Sequence, residues 1–187
     1  HCMETYMGKP QATNLSDEIN EAVMRNVITN LRRLIRNPDD DFARGELMWA
    51  SAMAENGMLK LGKQTDFQCH MIEHAVGAYT DCNHGLGLAV IHPALYRRLL
   101  EAGKEKLARM AETVWGVKGT TIEETAMRGI EALEAFIREI GLPTHWSEMG
   151  ITDESMLRAA ADTCFITPGC CRQLTRDEIF ELLMERM

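Results

Sequence analysis

Two strings of the form Thr-x-x-Glu, Thr121-Ile-Glu-Glu124 and Thr175-Arg-Asp-Glu178, each stand in front of an apolar stripe of helical period. In such a capping box the hydroxyl takes an amide hydrogen of the first turn and the glutamate reaches back to the cap, so the string marks a helix start. Behind the first box come Met127, Ile130, Leu133, Phe136, Ile137 and Ile140, closed by Gly141-Leu-Pro143; behind the second come Ile179, Leu182 and Leu183. The rest of the chain reads the same way. Ile19, Val23, Val27, Leu31 and Leu34 form a stripe with cap candidates Asn14 and Ser16 and a stop at Asn37-Pro38. A second helix is predicted from the Asp39–Asp41 cluster to Gly57, a third over Asp66–Tyr79, and a fourth over His84–Leu99 with a kink at Pro93. Leu107, Met110, Ala111 and Val114 mark a further helix closed by Gly116, and Thr152 is the predicted cap of another, with Ile151 as its hydrophobic staple. Only Leu88–Ile91 is β-prone, and it lies inside a helical pattern. The prediction is an all-α helical bundle, one domain spanning 1–187.

Charge and cysteine usage narrow the function classes. With 28 acidic against 20 basic residues the net charge is −8, which argues against a nucleic-acid partner. No apolar run approaches the ~18 residues of a membrane span. The six cysteines, Cys2, Cys69, Cys82, Cys164, Cys170 and Cys171, contain no CxxC and are read as reduced thiols of a cytoplasmic protein. Met48, Met53, Met127 and Met156 fall within helices and are read as core filler. The chain opens on His1 with no initiator Met, which reads as an excised piece.

The chemistry concentrates between residues 66 and 84. Asp66-Phe-Gln-Cys69-His70-Met-Ile-Glu73-His74 is followed by Asp81-Cys82-Asn83-His84-Gly85. His70 and His74 are one helical turn apart and share a face; a tight connection and a returning helix would bring His84 beside His70. Imidazole nitrogens in open geometry suit zinc or ferrous iron. Incidental core or surface histidines compete with that reading, because His-x-x-x-His alone is a weak signal. The His-x-x-Glu-His order also matches the inverted zinc-protease string. Glu73 is read as a surface or supporting group, and Cys69 and Cys82 as packing residues.

A wider resemblance joins these pieces. Met48-Trp-Ala-Ser-Ala-Met-Ala-Glu-Asn56-Gly57, the Asp66–His74 string, Asn83-His84-Gly85-Leu-Gly87 and Pro93 together resemble the iron-containing alcohol dehydrogenases, in their butanol-dehydrogenase-like branch. That family pairs an N-terminal α/β domain for the nicotinamide cofactor with a helical C-terminal domain that supplies most metal ligands. His1-Cys-Met-Glu4-Thr-Tyr6 is similar to the family's His-x-x-Glu-x-Tyr string. The resemblance therefore implies His1, His70 and His84 as metal ligands. An aspartate ligand is expected just upstream of His1. It implies a divalent metal, Fe²⁺ or Zn²⁺, and NAD(P)H bound through a domain this chain lacks, consistent with the absence of a glycine fingerprint from its sequence.

The implied activity is alcohol dehydrogenation or aldehyde reduction on a small aliphatic alcohol or aldehyde, with the metal polarising the substrate oxygen. His74, outside the ligand pattern, is the catalytic candidate, for proton relay at the substrate oxygen or for lining the nicotinamide pocket. A homodimer is expected for the full-length protein. The isolated chain is expected to fold, to bind metal weakly or not at all and to be inactive, with an apolar face left exposed where the nucleotide domain would sit. The alternative is a stand-alone helical metal-binding or interaction domain without catalysis.

Overall fold

The computed structural model describes residues 1–187. Its α-helices are α1 Cys2–Tyr6, α2 Leu15–Arg36, α3 Asp41–Glu55, α4 Gln68–Thr80, α5 His84–Arg98, α6 Leu100–Met110, α7 Ile122–Glu139, α8 Glu154–Thr163 and α9 Arg176–Met184. Short 3₁₀ turns lie at Met58–Lys60 and Trp146–Met149, and a π turn, Ala111–Trp115, continues α6 to Gly116. The one sheet-like contact is an antiparallel bridge between Lys9 and Gln64. The fold is all-α, as the capping and periodicity predict. α6 lies along α7, α2 along α3, and α4 between α5 and α8, with α9 against α8.

Most caps fall where the sequence puts them. Asn14, Thr121 and Thr175 each accept the amide hydrogen of the residue three further on. The exceptions are local competitions between neighbouring acceptors. Ser16 lies inside α2 and donates to the Leu61 carbonyl at 2.8 Å. Asp153, not Thr152, caps α8, because its Oδ1 accepts both the Ser155 amide at 2.9 Å and the Ser155 hydroxyl at 2.6 Å. A carboxylate in that place is a better acceptor than the threonine hydroxyl beside it. α5 continues through Pro93 as one helix. It is buried without a break from Ala89 to Tyr96.

The core gathers Ile72, Val90, Leu95, Leu107, Ile130, Trp146, Leu157 and Leu182. Two assignments to it are corrected. Met48 and Met156 are exposed, because α3 buries only Ala43 and Ala50 and the outer side of α8 meets solvent. The apolar stripe of α2 is only half-buried, and its most deeply buried face carries Asp17, Asn20 and Glu21 instead.

That polar face anchors the start of the chain. Asp17 meets the buried ammonium of Lys63 at 2.9 Å and also that of Lys106. Lys63 further donates to the carbonyls of Tyr6, Gly8 and Pro10 at 3.2–3.3 Å. The Tyr6 hydroxyl donates to Glu21 at 3.0 Å, and Arg109 donates to the same carboxylate. Each buried charge is thus paired and hydrogen-bonded, the condition under which charges are tolerated inside a protein. The network pins α1 against α2 and α6 and fixes the position of the residues before it.

Candidate metal centre

α4 begins without a cap of its own. Phe67 precedes it with φ +51°, a left-handed conformation, and its side chain accepts nothing. The open amides of the first turn are met from elsewhere. Asp66 Oδ1 accepts from Gln68 at 3.0 Å, and Glu4, a wholly buried residue of α1, accepts from the amides of Cys69 and His70. A carboxylate at that place also complements the positive end of the helix dipole.

The same Glu4 carboxylate lies against Nδ1 of His70. The ring is buried, and its Nε2 has no hydrogen-bond partner. Burial, with the N-terminal ammonium and neighbouring histidines, lowers the His70 pKa to about 3, so the imidazole is neutral. Burial pushes Glu4 up to about 7 against the pull of its amide donors. When ionised, Glu4 at Nδ1 can only accept, which would place the proton of the neutral ring on Nδ1 and leave Nε2 its lone pair.

His84 opens α5, whose cap Asn83 accepts from Leu86 at 3.2 Å. Its Nδ1 lies against Glu73, which is buried; of the two readings its sequence context allows, surface or supporting group, the structure has the supporting one. Glu73 projects across to the start of α5, where Gly87 offers no side chain to block it. The Cys82 thiol donates to Glu73 as well, at 3.6 Å.

The four histidine rings form one group. Centroids lie 4.6 Å apart for His1 and His70, 5.2 Å for His70 and His84, 5.1 Å for His74 and His84, and 6.1 Å for His70 and His74. Phe67 packs at 4.7 Å from His70 and 5.6 Å from His1. Nδ1 of His1 meets Glu55 of α3. His74 is exposed, and donor atoms of Glu73, His74 and His84 fall within 4.8 Å of one another.

The donor set suits a divalent metal. A buried imidazole nitrogen with a free lone pair, beside further imidazoles and carboxylates, is what a borderline N/O site requires. A second group of donors, Glu4, Cys69 and His92, is wholly buried. There the Cys69 thiol and His92 Nδ1 both point at the Leu88 carbonyl, at 3.9 and 3.1 Å. Burial raises the thiol pKa well above its usual value and lowers His92 to about 3, so both stay neutral as packed core groups. All six cysteines are free.

Residues 1–187 match the C-terminal profile of the Fe-containing alcohol dehydrogenase family. The chain belongs to that family. NADH-dependent butanol dehydrogenase A of Clostridium acetobutylicum is 32% identical over 187 residues, covering 97% of this chain and 48% of that protein. The NADPH-dependent aldehyde reductase YqhD of Escherichia coli is 29% identical over 156 residues, 83% of this chain and 40% of that protein. Among solved structures, NADH-dependent butanol dehydrogenase A from Thermotoga maritima superposes with a TM-score of 0.91 at 29% identity, covering 100% of this chain and 49% of that one. The chain thus spans about half the length of these Fe-containing alcohol dehydrogenase relatives.

Glu4 and Glu73 are the residues that spacing alone undervalued. A signal was present: each stands three residues after a histidine, in His1-Cys-Met-Glu4 and His70-Met-Ile-Glu73. Each holds a histidine other than the one in its own string.

Proposed function

We propose that this chain is the metal-binding domain, residues 1–187, of a cytoplasmic NAD(P)H-dependent alcohol dehydrogenase or aldehyde reductase. Its substrate class is small aliphatic alcohols and aldehydes, and the full-length enzyme is a homodimer. His1, His70 and His84 are the metal ligands, with the nicotinamide held by a part of the protein outside this chain. The observation that carries the reading is the buried, unpartnered Nε2 of His70 inside a group of four imidazole rings. The relatives' names, butanol dehydrogenase and aldehyde reductase, support the substrate class.

When bound, a divalent cation supplies Lewis acidity at the substrate oxygen. The chain's own residues do the rest. His70 presents a neutral nitrogen, and on both His70 and His84 the other ring nitrogen meets a carboxylate. Phe67, against His1 and His70, shields that side of the site from water. His74 is exposed and beside His84, which suits it to pass a proton between the substrate oxygen and solvent. The closeness of Glu73, His74 and His84 favours one variant reading, in which His74 is a ligand.

In the full-length enzyme a chelator should abolish aldehyde reduction, and His74→Ala should lower turnover while bound metal, measured by elemental analysis, stays stoichiometric. Metal lost from His74→Ala would make it a ligand. Full activity in a rigorously metal-free preparation would sink the proposal.

A further inference from the structure

Each of the three proposed ligand rings meets a carboxylate through the same atom. His70 meets Glu4, His84 meets Glu73, and His1 meets Glu55, always at Nδ1. Glu4 and Glu73 are both buried, and neither is spent on an arginine or lysine. Two packing details indicate that these contacts are built rather than incidental. Glu4 is fixed by two amides of the first turn of α4, so the helix that carries His70 also aims the carboxylate at its ring. Glu73 occupies the space over Gly87, where a Cβ would come within 2.7 Å of its Cγ.

We infer that Glu4 and Glu73 are positioning residues that hold the Nδ1 proton of His70 and His84, and so select Nε2 of each ring as the nitrogen offered to a metal. This rests on the assignment of His70 and His84 as ligands. The physical reason is tautomer choice. A neutral imidazole has one proton and one lone pair, and the partner of one nitrogen decides the state of the other. A carboxylate accepts and never donates when ionised, so it fixes the proton on the nitrogen it faces and leaves the opposite one bare. It also raises the basicity of the ring and stops its rotation, and loss of such a partner commonly costs ~10–100-fold in metal affinity. The two carboxylates link the sites in series. Glu4 stands three residues after His1 and serves His70; Glu73 stands three after His70 and serves His84.

The experiment uses the full-length protein and has two readouts apart from turnover. Long-range ¹⁵N–¹H spectra of the metal-free protein report the tautomer of each histidine, and titration with Co²⁺ reports affinity and the visible spectrum of the bound ion. In the wild type, His70 and His84 should both carry the proton on Nδ1. In Glu73→Ala, His84 should shift toward the Nε2-protonated form while His70 is unchanged, and Co²⁺ affinity should fall ~10–100-fold. Glu73→Gln, whose amide oxygen still accepts from Nδ1, should recover most of that loss. Glu4→Ala should disturb His70 and leave His84 alone, and Glu4→Gln should largely restore His70. Nε2-protonated rings in the wild type overturn the inference outright, whether or not any variant folds. So does a folded Glu73→Ala protein in which either the tautomer or the affinity is unchanged. Failure of the ligand assignment looks different: the wild type takes up no Co²⁺, or His84→Ala takes it up as tightly as the wild type.

Discussion

Gly87 stands one turn into α5, and its missing side chain is what lets Glu73 reach His84. A methyl group there would lie 2.7–2.8 Å from Glu73 Cγ and Oε1. Gly87→Ala should therefore displace the carboxylate and weaken metal binding by the full-length protein, while the helix gains the ~1 kcal/mol of propensity that alanine has over glycine. Metal affinity and melting temperature measured on the same preparation check this; unchanged affinity would mean Glu73 has room to move. Asp66 offers a pH test. Its Oδ2 is buried without a partner, and burial lifts the carboxyl to about 6. The unfolded value is about 3.9, so between the two the folded state binds more protons and stability falls as pH rises. The contribution is complete below the unfolded value and lost above the folded one. Asp66→Asn should remove that slope, so the urea midpoints of variant and parent should diverge across this window and run parallel outside it. At this scale the histidines were legible because helical spacing places His70 and His74 on one face. The burial of Glu73 was not. Periodicity gives an angle around α4, not what stands opposite, and opposite Glu73 stands the start of α5.

For the elements, local caps and long-range packing make opposite demands that two substitutions separate. Thr121 caps α7 from an exposed position, so Thr121→Ala should cost about 1 kcal/mol. Gly129 lies in the middle of the same helix, where alanine is the better helix former. A Cβ there would come within 2.6 Å of Ala111 Cβ, on the π turn that extends α6. Overpacking of that kind costs about 1–3 kcal/mol, so Gly129→Ala should also lower the melting temperature. A rise would mean that α6 and α7 can part slightly and that propensity decides. The helices and most caps were readable because each rests on residues within a few positions of one another. α4 was harder, since its first amides are satisfied by Asp66 and by Glu4, 65 residues from Cys69. The exposure of Met48 was missed because an apolar residue on a helix says nothing about whether a neighbour covers it.

Across the whole molecule, the charged anchor under α1 is the feature that composition conceals. Asp17 faces two buried ammonium groups, Lys63 and Lys106. Removing it leaves both without their counter-charge, and breaking a buried pair costs about 3–5 kcal/mol. Asp17→Ala should lower the urea midpoint by that equivalent and loosen the segment that carries His1 and Glu4. A loss under about 1 kcal/mol, the scale of exposed pairs, would show that the lysines swing out to water. Sequence patterning finds apolar faces, and here the most deeply buried face of α2 is polar. Its partners come from residues 63, 106 and 109, which no local window contains.

The distribution of free thiols turns the protein into its own unfolding clock. Cys69 and Cys170 are sealed inside, while Cys2, Cys82 and Cys171 are half-covered. Alkylating reagents attack the thiolate, and burial holds the Cys69 and Cys170 thiols protonated as well as hidden. A reagent added under native conditions should therefore mark Cys82 at the tempo at which the α4–α5 turn breathes. It should mark Cys69 and Cys170 only when the bundle comes apart. Mass spectrometry of tagged peptides over time would give separate opening rates for different regions of a chain that carries no introduced probe. Adding metal should slow the Cys82 tag if the turn between α4 and α5 tightens around it.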